Sequence, residues 1–299
     1  MKGASISRAD DRVGARVLRL ADGRRLGFAE YGAGSGQPLL FFHGTPGARL
    51  VAGFAHRSAL RLNVRLIAPE RPGFGRSDFQ AGRRILEWPD DVAALADALG
   101  LERFAVAGVS GGAPYALACA WRRPERIRVV GVVSGMTPLE GPPQRPPLGR
   151  GRRLSLAALR RLPWLARGPI GLAAPVVRRW PERALDLIAA LAPAADAAIL
   201  ARPEVRAVLI DDLREALRAG GRGAAHELAL FGRPWGFCPG EVRTPVELWH
   251  GEADRAVPVA AARRLAGRMP ACTARFLAGA GHLWLFDHSA GVLATLCPG

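Results

Sequence analysis

Apolar and polar positions along the chain fall into two periods, and the change from one to the other marks the elements. Arg16-Val17-Leu18-Arg19-Leu20 and Arg25-Leu26-Gly27-Phe28-Ala29-Glu30-Tyr31 roughly alternate on either side of Asp22-Gly23. Alternation is the strand period, and Asp-Gly tolerates the left-handed backbone of a tight turn, so the two segments read as a β-hairpin. Pro38 to Phe42 and Val64 to Ala68 are unbroken apolar runs instead, the pattern of strands covered on both faces. Phe104 to Ala107, Arg128 to Val133 and Val246 to Trp249 repeat it, and Arg275 to Leu277 reads as a last short strand. Helical spacing runs from Trp88 to Leu99, with Asp90 and Asp91 in the first turn where the helix dipole favours acids. A second helix is expected from just after Ser110 to about Trp121.

Strands alternating with helices predict an α/β fold with a mostly parallel central sheet flanked by helices. Between Thr137 and about Phe237 the pattern changes. Strand runs give way to Pro142-Pro143-Gln144-Arg145-Pro146-Pro147 and then to helical segments around Leu154–Leu162, Arg183–Leu191 and Val205–Ala219. The expected organisation is a core of residues 1–136 and 238–299 with a helical cap inserted over 137–237.

Composition trims the functional classes. With 299 residues, 49% hydrophobic and 23% charged, the chain can bury a large core, which argues against disorder. No apolar run approaches the roughly 20 residues that span a bilayer. The first thirty residues carry Arg8, Asp10, Asp11, Arg12 and Arg16 and lack an apolar signal core, so a cytoplasmic location is expected. A net charge of +16 raises the question of nucleic acid. Lys2 is the sole lysine among the 42 basic residues, however, and the arginines are spread along the whole chain rather than gathered in a patch. The expected partner is a small-molecule substrate, with no nucleic acid. Arg152-Arg153-Leu154 to Leu162 could rest on an anionic membrane, but packing its apolar residues inward as a cap helix is the favoured reading. Cys119, Cys238, Cys272 and Cys297 show no C-x-x-C spacing, and the six histidines form no H-x-x-x-H pair, so neither metal nor cofactor is expected.

Candidate chemistry centres on Gly108-Val109-Ser110-Gly111-Gly112 after an apolar strand. Glycines around a serine at a strand-to-helix turn permit strained backbone angles that lift the hydroxyl clear of the sheet. Four more segments follow strands. Phe41-Phe42-His43-Gly44-Thr45-Pro46-Gly47 can aim a backbone N–H at developing negative charge. Pro69-Glu70-Arg71-Pro72-Gly73-Phe74-Gly75-Arg76-Ser77-Asp78 reads as a structural glycine turn. Leu248-Trp249-His250-Gly251-Glu252-Ala253-Asp254 offers an acid that can orient a histidine, and Gly279-Ala280-Gly281-His282-Leu283-Trp284 offers the histidine.

In this order the segments resemble the α/β-hydrolase fold superfamily, particularly its capped single-chain members, from about Arg16 to the C-terminus. The resemblance implies a triad of Ser110, Asp254 and His282, with Glu252 as the fallback acid, in the order nucleophile, acid, histidine. It also implies an oxyanion hole from the backbone N–H groups of Thr45 and Gly111. Glu70 departs from the aspartate usual in its segment. His43 is expected to brace the oxyanion loop and His250 to pack near the acid loop, while His56, His226 and His288 suit surface or cap positions. Trp164, Trp180 and Trp235 are expected to pack the cap or line its pocket.

The implied activity is carboxylic ester hydrolysis through an acyl-enzyme. Related epoxide hydrolases and haloalkane dehalogenases place an aspartate at the elbow, which Ser110 does not match. Epoxide opening also uses cap tyrosines, whereas Tyr31 and Tyr115 both lie outside the insertion. Carbon–carbon bond hydrolases, cofactor-free haloperoxidases and proline-releasing aminopeptidases share the triad and stay open as alternatives. An aminopeptidase would need cap acids for the substrate amine, for which Glu204, Asp211, Asp212 and Glu215 are available. A ligand receptor with vestigial turnover is the non-enzyme alternative.

Overall fold

The computed structural model describes residues 6–8, 14–138 and 167–299. Among them nine strands form one sheet: β1 (Ile6–Arg8), β2 (Arg16–Arg19), β3 (Arg25–Gly32), β4 (Gln37–Phe42), β5 (Val64–Pro69), β6 (Phe104–Val109), β7 (Ile127–Val133), β8 (Val246–Gly251) and β9 (Cys272–Leu277). Their spatial order is β1-β2-β3-β5-β4-β6-β7-β8-β9. Pairing is antiparallel from β1 through β3 to β5 and parallel from there to β9. The expected hairpin is β2 and β3, with Gly23 at φ +87 in its turn. β1 is too short to carry a readable period, and β9 starts three residues before the expected Arg275.

Three helices lie between the early strands, α1 (His56–Arg61), α2 (Trp88–Ala98) and α3 (Ala113–Arg122). Five lie between β7 and β8: α4 (Arg167–Arg179), α5 (Pro181–Leu191), α6 (Ala194–Leu200), α7 (Pro203–Ala216) and α8 (Arg222–Phe231). The last two are α9 (Val259–Arg268) and α10 (Leu285–Leu296). Side chains alternate across a strand, and β4 shows the result. Leu40 and Phe42 join an apolar cluster with Ile67, Val106, Trp88, Leu117 and Leu265, which brings α2, α3 and α9 to one face. Leu39 and Phe41 join another with Leu66, Ala107, Ala59 and Leu293, which brings α1 and α10 to the opposite face. Burying each leucine, isoleucine, valine or phenylalanine among them contributes about 1.5–3 kcal/mol. Cover on both faces is why these strands read as unbroken apolar runs.

The expected helices at Arg183–Leu191 and Val205–Ala219 are α5 and α7; α7 stops earlier, and the chain turns at Gly220 with φ +88. The Leu154–Leu162 segment, Pro142–Pro147 and Trp164 lie outside the described residues. The sequence pattern did not mark α4, α6 or α8, and each has its reason. Gly168, Gly171 and Pro175 obscure α4, and α6 has only seven residues. α8 is buried nearly all round, so no polar stripe sets off an apolar one. Its Leu230 and Phe231, with Trp235, complete the cluster under α3, while Trp180 is exposed between Arg179 and Arg183. No helix among the described residues is long and apolar enough to cross a membrane.

Candidate active site

β5 and β6 flank β4, so the chain leaves β4 in one direction and later returns on its other side. Connections after such strands diverge and leave a crevice at their carboxyl ends. The loop after β4 (His43 to Gly47) and the turn after β6 (Ser110 to Gly112) form the walls, with Phe42 and Gly108 in register beneath them. Ser110 sits at φ +51, the left-handed conformation expected of a nucleophile elbow. Holding a non-glycine residue there costs on the order of 1–3 kcal/mol. A Cβ at Gly108 would overlap the Gly112 carbonyl, and one at Gly112 would overlap the Phe42 carbonyl, so both glycines are needed for close approach.

Asp254 follows β8 and His282 follows β9. His282 Nδ1 lies 2.7 Å from Asp254 Oδ2, and the Asp254 side chain is fully buried. The other carboxylate oxygen accepts the N–H groups of Ala256 and Val257 at 2.8 and 2.9 Å, which fixes its direction. Nδ1–H therefore points at Asp254 and Nε2 is the nitrogen left for a reacting group. β7 and β8 separate β9 from β6. The histidine loop closes that gap by crossing the end of β8, where a Cβ on Gly251 would strike the carbonyls of Ala280 and Gly281. The segment after β7 ties the two sides together. Met136 N–H donates to the Ser110 carbonyl at 2.9 Å, and Trp284 Nε1 donates to Ser134 Oγ at 3.0 Å. Among the described residues Asp254 and His282 are hydrogen-bonded, whereas Ser110 Oγ and His282 are not. Such bonds commonly tighten only with substrate present. The fallback acid Glu252 lies on the surface, paired with Arg263.

Thr45 and Gly111 are neighbours, since a Cβ on Gly111 would collide with the Thr45 hydroxyl. No acceptor among the described residues takes either backbone N–H. The loop that carries Thr45 is braced by buried charge. Arg71, fully buried, donates through Nη1 to the His43 carbonyl at 2.6 Å and through Nη2 to the Gly44 carbonyl at 3.0 Å. It forks onto Glu227 of α8, with Nε to Oε1 at 2.7 Å and Nη2 to Oε2 at 2.8 Å. Arg83 reaches the same Oε1 at 3.1 Å and the Tyr115 hydroxyl at 2.7 Å, and the Thr45 hydroxyl donates to Oε2. Burial alone would raise the Glu227 carboxyl, but Arg71 and then Arg83 hold it well below the usual range. His43 braces the loop as expected. Its Nε2 accepts the Arg71 N–H at 3.2 Å, so Nδ1 carries the proton and donates to the Gly44 carbonyl at 2.8 Å. Burial, reinforced by Arg71, keeps this ring neutral.

The carboxylates of the helical insertion were only partly legible. Asp196 of α6 accepts the N–H groups of His282 and Leu283 at 2.9 and 2.8 Å, and Asp212 of α7 accepts that of Val51 at 2.7 Å and that of Ala48. Glu215 pairs with Arg49, which also binds the buried Glu70 at 2.7 Å. Asp212 and Glu215 are thus engaged within the protein, and neither is a free acceptor for a substrate amine. His226 is a buried insertion residue with Nε2 3.0 Å from the Arg83 carbonyl. His56 and His288 are exposed. His250 lies under the acid loop, bonded to the Val257 carbonyl at 2.9 Å and kept neutral by burial. An open cavity of about 630 Å³ on the insertion, lined by Arg178, Arg179, Arg214 and Arg218, touches none of the triad candidates.

The model of the Alpha/beta hydrolase family matches residues 39–295. The chain belongs to this family. Haloalkane dehalogenase 2 of Mycobacterium tuberculosis is 37% identical over 109 residues, 35% of this chain and 36% of the relative. The 2-hydroxymuconate semialdehyde hydrolase of a Pseudomonas species is 38% identical over 102 residues, 32% of this chain and 35% of that one. The chain therefore matches only about a third of the length of these curated relatives. Among solved structures, an esterase from Exiguobacterium antarcticum superposes with a TM-score of 0.70 at 16% identity, covering 94% of this chain and 97% of its own. A thermophilic esterase from Thermogutta terrifontis gives 0.65 at 21%, covering 98% and 96%. Both likenesses establish the fold.

Proposed function

We propose that this protein is a serine hydrolase of small-molecule carboxylic esters. The observation that supports the reading most directly is the pairing of buried Asp254 with the half-buried His282 at the same sheet edge as Ser110 in its left-handed turn. In the reaction His282 Nε2 takes the Ser110 proton as Oγ bonds to the ester carbonyl carbon. The carbonyl oxygen becomes an oxyanion held by the N–H groups of Thr45 and Gly111, each worth on the order of 10²–10³ in rate. Collapse breaks the bond to the alcohol oxygen, which leaves with the proton from His282. Water, deprotonated by the same ring, then releases the acid and frees Ser110. Residues 137–237 act as a cap over the core, a reading supported by the contacts of Asp196, Asp212 and Glu227 with the loops of the sheet edge.

A serine-reactive fluorophosphonate should label the wild type and fail on Ser110→Ala, which should also lose turnover of short-chain p-nitrophenyl esters. Labelling retained in the variant would reject the assignment, and a single turnover with tight binding would favour a receptor. The match to 2-hydroxymuconate semialdehyde hydrolase favours one second reading, carbon–carbon bond cleavage on the same groups. Turnover of a vinylogous diketone in preference to any ester would select it. The dehalogenase match carries no such weight, because Ser110 places no carboxylate at the elbow to displace a halide.

A further inference from the structure

We propose that Arg71 is a positioning residue for the oxyanion hole: it polarises the Gly44–Thr45 peptide and so strengthens the Thr45 N–H as a donor. The inference rests on the serine-hydrolase reading and adds a residue to it that the sequence presented only as part of a glycine turn. The Gly44 carbonyl and the Thr45 N–H are two ends of one peptide unit. Arg71 Nη2 donates to that carbonyl at 3.0 Å and His43 Nδ1 at 2.8 Å, so its lone pairs face two donors, one of them cationic. Donors on a carbonyl draw electron density from its peptide nitrogen, and hydrogen bonds linked in this way strengthen one another. Water does not dilute the effect, because Arg71 is fully buried and its guanidinium lies over the rings of Tyr115 and Phe74, at 4.9 and 5.6 Å.

The same guanidinium also sets where the amide points. Nη1 holds the His43 carbonyl, Nη2 holds the Gly44 carbonyl, and the Nε edge is locked on Glu227, so consecutive carbonyls of the loop hang from one planar fork. A lysine cannot reproduce this, since an ammonium has no fixed fork. The local charge balance agrees. Two guanidiniums, Arg71 and Arg83, surround the one carboxylate of Glu227, which leaves net positive charge behind the loop opposite the site where an oxyanion would form.

The test is Arg71→Lys on the full chain, with kcat and KM for p-nitrophenyl acetate counted per fluorophosphonate-reactive site. Deleting one oxyanion donor costs about 10²–10³, so weakening one should lower kcat by about 10-fold to 100-fold. KM should stay within about threefold, and affinity for a trifluoromethyl ketone should fall by the same factor as kcat/KM. Affinity for the acid product and the acid limb of the pH profile should not move. A loss explained entirely by fewer reactive sites would make Arg71 merely structural and overturn the proposal, as would unchanged ketone affinity. If Arg71→Lys does not fold, Arg71→Gln combined with Glu227→Gln removes the cation and its counter-charge together, and the same split is expected. Failure of the serine-hydrolase reading is separable, because it would already show as wild type and Ser110→Ala behaving alike.

Discussion

Glu227→Gln tests whether the buried ion cluster holds the His43–Gly47 loop to the insertion. The carboxylate is inaccessible to water and accepts four hydrogen bonds, two from Arg71, one from Arg83 and one from Thr45. Glutamine has nearly the same volume, so packing is conserved while charge is removed. Its amide NH₂ must replace one oxygen and face donors, and two buried guanidiniums are left without an anion. Breaking a buried pair by removing one partner costs about 3–5 kcal/mol. At this chain length that corresponds to a fall in Tm of roughly 5–8 °C. Differential scanning fluorimetry and urea unfolding would measure it, with Glu182→Gln as the control. Glu182 pairs with Arg214 on the surface, both about half exposed, and its loss should cost under about 1 kcal/mol. Glu227 is held below its ordinary value, so its contribution is fully present above that value and is lost only as pH falls through the lowered one. The gap between wild type and variant should therefore be flat from pH 6 to 9. A Glu227→Gln protein no less stable than the control would refute the reasoning.

Two further outcomes follow from the other insertion acids. Burial raises the Asp212 carboxyl to about 8, partly offset by the Val51 and Ala48 amides. A raised acid stabilises the fold below its ordinary range and gives that up as pH climbs, by about 1.4 kcal/mol per pH unit. Between pH 5 and 8 the wild type should lose stability relative to Asp212→Asn, and parallel curves of Tm against pH would contradict this. Asp196→Ala strips two amides of the histidine loop of their acceptors, and a small displacement of His282 should lower kcat about 10-fold to 100-fold on p-nitrophenyl acetate. Unchanged kcat would show that the loop is held elsewhere.

What could be read from the chain alone follows the range of the interactions. The hairpin, the buried strands and the elbow are local, and a few adjacent residues state them. Asp254 and His282 were nameable because each follows a strand in a characteristic glycine setting. Arg71 and Glu227 were not paired in advance, since 156 residues separate them and either one resembles dozens of other charges in an arginine-rich chain. Only the fold shows which arginines are dry. The same holds for Asp196, which sits in an alanine-rich stretch of the insertion and acquires its role from the loop it meets. The sequence suggested acids in this region as possible hands for a substrate. In the structure Asp212 and Glu215 are fastened to the protein instead.

The crossing of the histidine loop over Gly251 and its fastening to Asp196 have a consequence for how such a molecule can be taken apart. The sheet and all three triad candidates lie outside residues 167–237, yet the backbone N–H of His282 and the hydroxyl of Thr45 take their acceptors, Asp196 and Glu227, from within that stretch and would lose them with it. Exchanging that stretch for one from another family member would remove both acceptors along with it. Engineering toward new substrates is therefore safer by single changes within the native insertion than by wholesale replacement.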